Sequence, residues 1–285
     1  MTYPWQDYSG RTSPLKLVVF AALFAPALWT ALSFALGWLQ PQPFTAAIRE
    51  IGLWTIRLIF TALAITPLRS IVQWQRLILV RRMVGVAAFG YAITHLSLYT
   101  ADHMFDLVKV ASEIALRIYL TIGFAAVLGL AALAATSTDG MIRRLGGRNW
   151  QLLHRLVYLI ALLAVLHYCM QSKLDLWEPT IMAGIYGWLM GYRLLARFLA
   201  VRGRLPLVGV GALGVAAAGA TAVGEAAYFW VAYGVDPTRV VAANWSLMTG
   251  LRPAVVVLGL AVAVTAAGAL RSVVALPAKR RPRFA

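Results

Sequence analysis

The sequence predicts an all-α protein: a polytopic bundle of transmembrane helices with a six-helix core and a C-terminal two-helix hairpin. Three observations carry this expectation. Of 285 residues, 61% are hydrophobic and only 13% are charged, with a mean hydropathy of +0.76. A soluble domain of this size holds roughly 45–50% apolar and about 25% charged residues, so the bilayer has to take up the surplus. The apolar residues fall into runs of about 20, the length that carries a helix across the hydrocarbon. The basic residues collect between those runs.

Eight spans follow in order: Leu15–Leu39, Ile48–Leu68, Met83–Ala101, Glu113–Ala135, Gln151–Met170, Pro179–Ala200, Leu205–Tyr233 and Leu247–Ala275. Pro206, a series of glycines and Glu225 interrupt the seventh. The polar start Met1–Ser13 precedes an apolar run too long for the core of a signal peptide. Pro67, in Thr66-Pro67-Leu68-Arg69, is expected to end the second span. Trp150, Tyr168 and Trp177 lie near span ends, as interfacial aromatics do.

Loop charge then orients the chain. On one side fall Arg11, Lys16, Arg69, Arg76, Arg81, Arg82, Arg143, Arg144, Arg148, Arg155, Arg193, Arg197, Arg202, Arg204 and the tail Arg271, Lys279, Arg280, Arg281 and Arg283. Only Arg49, Lys109, Arg117, Lys173, Arg239 and Arg252 fall on the other, with Arg57 inside a span. Short cytoplasmic loops are the basic ones, so both termini are expected in the cytoplasm. The net charge of +16 thereby serves orientation and contact with anionic lipid, and nucleic-acid binding is not expected. The single cysteine, Cys169, excludes an internal disulfide framework, cysteine-ligated clusters and the usual structural zinc.

Redox or metal chemistry therefore turns on the histidines, His95, His103, His154 and His167. An ionisable ring inside a membrane helix is costly and usually marks a site, although a single one also serves as an interhelical hydrogen-bond partner. Three on two apolar helices favour ligation. Entering from the arginine-rich side, His95 stands about 20 Å up the third span, at a rise of about 1.5 Å per residue. His167 reaches a similar height on the fifth span, while His154 stays near the cytoplasmic surface. His154 and His167 also point about 140° apart around their helix. Either two stacked haems use different sides of this helix, or one site alone is fully histidine-ligated. Two axial histidines suit low-spin electron transfer, because little room is left for substrate at the iron. Arg81 and Arg82 lie near the level of His154 as candidate contacts for haem propionates.

Other features read as scaffold. Asp102, Asp106 and Glu113 near His103 allow an outer-surface metal site, but a solvated loop histidine is the preferred reading. Gly85, Gly90 and Gly123 suit either close approach of a flat macrocycle or helix packing. The last two spans are rich in Ala, Val and Gly and hold no histidine; they are expected to form an appended structural hairpin. A transporter would rest on the number of spans and Glu225 alone, with too few membrane carboxylates for an ion path. No glycine-rich nucleotide fingerprint follows a strand, so electrons must come from a partner, a quinone or a bound flavin.

Several segments resemble one family closely. They are Thr66-Pro67-Leu68-Arg69; Arg81-Arg82-Met83-Val84-Gly85 leading to Phe89-Gly90-Tyr91 and His95; and Ala135-Thr136-Ser137-Thr138. Leu145-Gly146, Trp150-Gln151-Leu152-Leu153-His154-Arg155-Leu156-Val157-Tyr158, His167-Tyr168, Lys173-Leu174-Asp175, Glu178-Pro179 and Gly191-Tyr192-Arg193 complete the set. Over about Leu15–Arg197 the chain resembles the haem-binding membrane subunit of the periplasmic protein-methionine-sulfoxide reductase system (the MsrQ family), within the ferric-reductase-like transmembrane group. The resemblance implies a bacterial inner-membrane cytochrome with one or two b haems on His95, His154 and His167, and FMN as a further cofactor. It implies electrons drawn from quinone or a flavin reductase and passed to a periplasmic molybdopterin subunit that repairs oxidised methionines. A stand-alone quinol or metal-ion reductase of the same superfamily is the alternative. On this reading residues 1–204 form the haem-binding domain, and residues 205–285 add the hairpin, which the six-helix family pattern lacks, and a basic cytoplasmic tail.

Overall fold

The computed structural model describes residues 3–6, 10–172, 175–200, 204–246, 248 and 250–274. Lys173, Leu174, Arg202, Leu247 and the basic tail lie outside the described residues. The fold is all-α and polytopic. Among the described residues, seven helical segments are long and apolar enough to cross a membrane: Pro14–Ala35, Pro43–Ile71, Gln75–Asp102, Ile118–Ala135, Gly147–Gln171, Leu207–Tyr233 and Pro253–Val273. Eight were expected. The remaining one is a helix, Trp177–Leu199, but does not meet those limits. It turns Ile181, Met182, Trp188, Leu189 and Tyr192 into protein and ends in Arg193 and Arg197, so its apolar residues serve packing as much as length.

The chain forms two compact units, Met1–Leu63 with Leu77–Lys173, and Ala64–Arg76 with Leu174–Ala285. In the first unit α1 (Pro14–Ala22) and α2 (Ala25–Ala35) share one span that breaks ahead of Pro26. A break inside a membrane exposes backbone polar groups that lipid cannot satisfy. The Tyr91 hydroxyl repairs it, donating to the Leu23 carbonyl at 2.7 Å and accepting from Ala27 N–H at 3.0 Å. Helix α3 (Pro43–Ile71) continues through Pro67, contrary to the expected stop. The proline sits four residues before the helix end, and the last residues of the helix belong to the second unit.

Helix α4 (Ile78–Asp102) carries His95 and ends at His103. The expected fourth span is split. A short α5 (Leu107–Leu116) and the crossing α6 (Ile118–Ala135) meet at Arg117, whose backbone is extended. Asp106 accepts from Lys109 N–H to start α5, and Thr121 donates to the Ile114 carbonyl across the junction. Helix α7 (Asp139–Leu145) lies in the loop, started by Thr138 and stopped by Gly146 at φ +76°. The fifth span is α8 (Gly147–His154) and α9 (Leu156–Gln171), interrupted at Arg155. Helix α6 packs on both α4 and α9, which brings the two histidine-bearing helices to a common neighbour.

In the second unit α10 (Trp177–Leu199), α11 (Leu207–Tyr233) and α13 (Pro253–Val274) pack mutually, with a short α12 (Pro237–Trp245) closing the turn of the hairpin. Small residues set the distance. A Cβ on Gly184 would meet Thr221 Oγ1 and Val257 Cγ2, and one on Gly214 would meet Ala261 Cβ. Such contacts are how helices associate where lipid is as apolar as their side chains. Glu225, which with the number of spans suggested transport, is tied into this packing: Asn244 Nδ2 donates to Glu225 Oε2 at 2.7 Å, and both residues are buried.

Candidate haem site

His95 projects from α4 toward α3, where its Nδ1 lies 2.8 Å from the Ile48 carbonyl oxygen. His167 projects from α9 toward α6, where its Nδ1 lies 2.8 Å from the Tyr119 carbonyl oxygen. A carbonyl can only accept, so each Nδ1 carries the proton and donates. That fixes the tautomer and leaves each Nε2 with a free lone pair, the form a metal binds. The two rings stand with centroids 6.4 Å apart and planes at 86°. Two metal–imidazole bonds of about 2 Å, extended through ring radii of about 1.1 Å, set ring centres roughly 6.3 Å apart. The donor set thus fits one iron with two axial imidazoles.

Among the described residues, no group of three or more His, Cys, Asp or Glu side chains could hold a bare metal ion. A macrocycle that brings its own four nitrogens needs only two axial ligands, a role the spacing of His95 and His167 would suit. The depth match expected of His95 and His167 is therefore realised as a pair.

His154 is placed differently. Its ring stacks on Trp150, with centroids 4.0 Å apart, and its Nε2 lies 3.2 Å from Thr136 Oγ1. The Thr136 hydroxyl also donates to the Ala132 carbonyl of its own helix at 2.7 Å. His154 faces no second histidine; it lines a cavity of about 320 Å³ with Arg81, Arg82, Gly85, Ser137 and Trp150. Arg82 is already engaged, donating to the Asp139 carboxylate and to the Ser137 carbonyl. That guanidinium holds the Asp139 carboxyl below the usual carboxylate range. Arg81 borders the same cavity.

His103, expected as a solvated loop residue, is instead largely covered at the end of α4. Its ring lies 4.4 Å from that of Tyr99, its Nδ1 donates to the Tyr99 carbonyl, and its Nε2 lies 3.7 Å from Glu113. The Tyr99 hydroxyl donates to the same carboxylate at 2.8 Å and, with Arg117, keeps the Glu113 pKa lowered. Short α5 brings Glu113 back over the end of α4, which span length alone does not reveal. Gly85 and Gly90 have open space where a Cβ would stand, whereas Gly123 packs on the His167 ring. Gly52, which the sequence did not single out, packs on the His95 ring in the same way.

Residues 49–165, which hold His95 and His154, match the family model "Ferric reductase like transmembrane component". Curated relatives extend the likeness. The "Protein-methionine-sulfoxide reductase heme-binding subunit MsrQ" of Rhodospirillum rubrum is 44% identical over 181 residues, covering 63% of this chain and 87% of the relative. The proteins of that name from Herminiimonas arsenicoxydans and Xanthomonas axonopodis pv. citri are 40% and 43% identical, covering 64% and 65% of this chain and 84% and 88% of the relatives. The chain belongs to the MsrQ family. No solved structure matches it.

Proposed function

We propose that this protein is a membrane b-type cytochrome that passes electrons from the quinone pool or a cytoplasmic flavin donor to a periplasmic molybdopterin methionine-sulfoxide reductase subunit. The observation that carries the reading is the His95–His167 pair: two imidazoles 6.4 Å apart, each with Nδ1 committed to a backbone carbonyl. Bound there, b haem supplies reversible one-electron transfer with both axial positions filled, which suits relay over substrate chemistry. The residues of the chain hold the ring orientations, exclude water with aliphatic side chains and keep the iron-facing nitrogens unprotonated.

A second haem at the His154 level is part of the proposal. The cavity offers Arg81 and Arg82 for propionates, and His154 would exchange its Thr136 contact for iron. FMN is the further cofactor carried over from the resemblance. We place both termini in the bacterial cytoplasm, with α10 as an additional crossing, and divide the chain into a haem-binding domain, residues 1–204, and the hairpin with its basic tail. Lipid is the partner of the remaining apolar surface; Leu28, Val208 and Leu270 are among the side chains that face it.

The decisive experiment is an optical spectrum with a pyridine haemochrome assay on protein purified in detergent. Reduced b-type bands are expected, and a colourless preparation would end the reading. His154→Ala is expected to leave the outer centre's low-spin signal in place while removing any second centre. Equal loss from His95→Ala, His154→Ala and His167→Ala would contradict two separate levels. A stand-alone quinol or metal-ion reductase would instead reduce a ferric chelate at full rate without the periplasmic subunit.

A further inference from the structure

The two outer histidines are seated by one repeated device. Ile48 and Gly52 are four residues apart on α3; Tyr119 and Gly123 are four apart on α6. In each case a histidine Nδ1 bonds the first residue's carbonyl, and the second residue lies beneath the ring. A Cβ on Gly52 would stand 2.8 Å from His95 Nδ1 and 2.9 Å from its Cε1; one on Gly123 would stand 2.7 and 2.8 Å from the same atoms of His167. Acceptor and histidine are separated by 47 residues in one seat and 48 in the other. The half-sites therefore repeat in structure and in spacing.

The reason lies in helix geometry. A helical carbonyl already accepts from the N–H four residues further on. A second donor reaches it only from the side, over the position of that fourth residue. Any Cβ there stands where the imidazole must lie. We propose that Gly52 and Gly123 are positioning residues for the axial imidazoles, admitting each Nδ1–H to a shared helical carbonyl and so setting ligand orientation and basicity. This rests on the reading of His95 and His167 as the iron's axial ligands. A hydrogen bond from Nδ1 raises the basicity of the metal-bound nitrogen, which favours the ferric state and lowers the reduction potential.

The experiment compares Gly52→Ala and Gly123→Ala with Gly129→Ala, all as purified holoprotein. Gly129 lies on α6, where a Cβ would crowd Ile160 at 2.7 Å and touch no histidine, so it matches the steric insult. The two seat variants are expected to show altered ferric low-spin EPR signals, a midpoint potential moved to more positive values and haem retention weakened about tenfold. Gly129→Ala is expected to keep the wild-type signal and potential. Seat variants that do not differ from Gly129→Ala in signal and potential would overturn the proposal. Should a seat variant not fold, selective 15N-histidine spectra of the reduced wild-type protein decide the matter. Two slowly exchanging Nδ1–H groups on axial rings support it, and freely exchanging ones overturn it. If His95→Ala leaves the low-spin signal of the wild type unchanged, axial ligation itself fails, and that outcome is distinct from failure of the glycine seats.

Discussion

Replacing His95 or His167 with alanine is expected to abolish the bis-imidazole low-spin signal and to cut electron delivery to the proposed periplasmic subunit by more than about tenfold. On the proposed ligation each ring would supply one of two axial bonds, and the seat on the far side could not compensate. The Ile48 carbonyl holds only His95, and the Tyr119 carbonyl holds only His167. Loss of one ligand leaves a five-coordinate centre whose open position admits exogenous ligands. Three measurements check this: haem content per chain, EPR of the oxidised protein, and carbon monoxide binding to the reduced protein. Carbon monoxide is expected to bind the His95→Ala and His167→Ala variants and to leave the outer centre of the wild type untouched. Retention of the six-coordinate signal in either variant would mean that the rings do not ligate iron.

The pairing of these rings was legible because helical rise is a ruler. His95 stands 13 residues beyond Arg82 and His167 stands 17 beyond Trp150, so positions counted from the charged ends give depth directly. The orientation of each ring was not legible. It depends on which carbonyl of a neighbouring helix each Nδ1 meets, and Gly52 becomes meaningful only once α3 lies against His95. Gly123 was noticed, for either a macrocycle or helix packing; the structure puts an imidazole there. Span boundaries failed where polar side chains repair backbone breaks, at Leu23 with Tyr91 and at Arg117 with Thr121. Composition saw apolar runs and had no means of seeing the hydroxyls that let them bend. The contact of His154 with Thr136 was likewise invisible, since it depends on where the end of α6 lies against α8. The hairpin read well as small-residue packing, whereas the role of Glu225 required its partner from α12.

That partner, Asn244, gives the second large effect. Its Nδ2 donates to Glu225 Oε2 and to the Val240 carbonyl, and its Oδ1 accepts from Ala254 N–H at 3.1 Å. One side chain thus ties α11 to α12 and satisfies a first-turn donor of α13, which no intrahelical carbonyl reaches. Asn244→Leu strands the Glu225 carboxyl group and the Ala254 N–H together. Each buried polar group left unpaired costs roughly 1–3 kcal/mol, so the variant is expected to lose about 2–5 kcal/mol of stability. The double variant Glu225→Leu with Asn244→Leu removes the stranded carboxyl group and is expected to recover about half of that loss, the Ala254 N–H remaining unpaired. Thermal unfolding in detergent, followed by tryptophan fluorescence, measures both. The outer haem spectrum serves as an internal control. His95 and His167 belong to the other compact unit, so their signal is expected to persist below the unfolding transition in the single and double variants alike. A double variant no more stable than Asn244→Leu would show that Glu225 is held by something other than this asparagine.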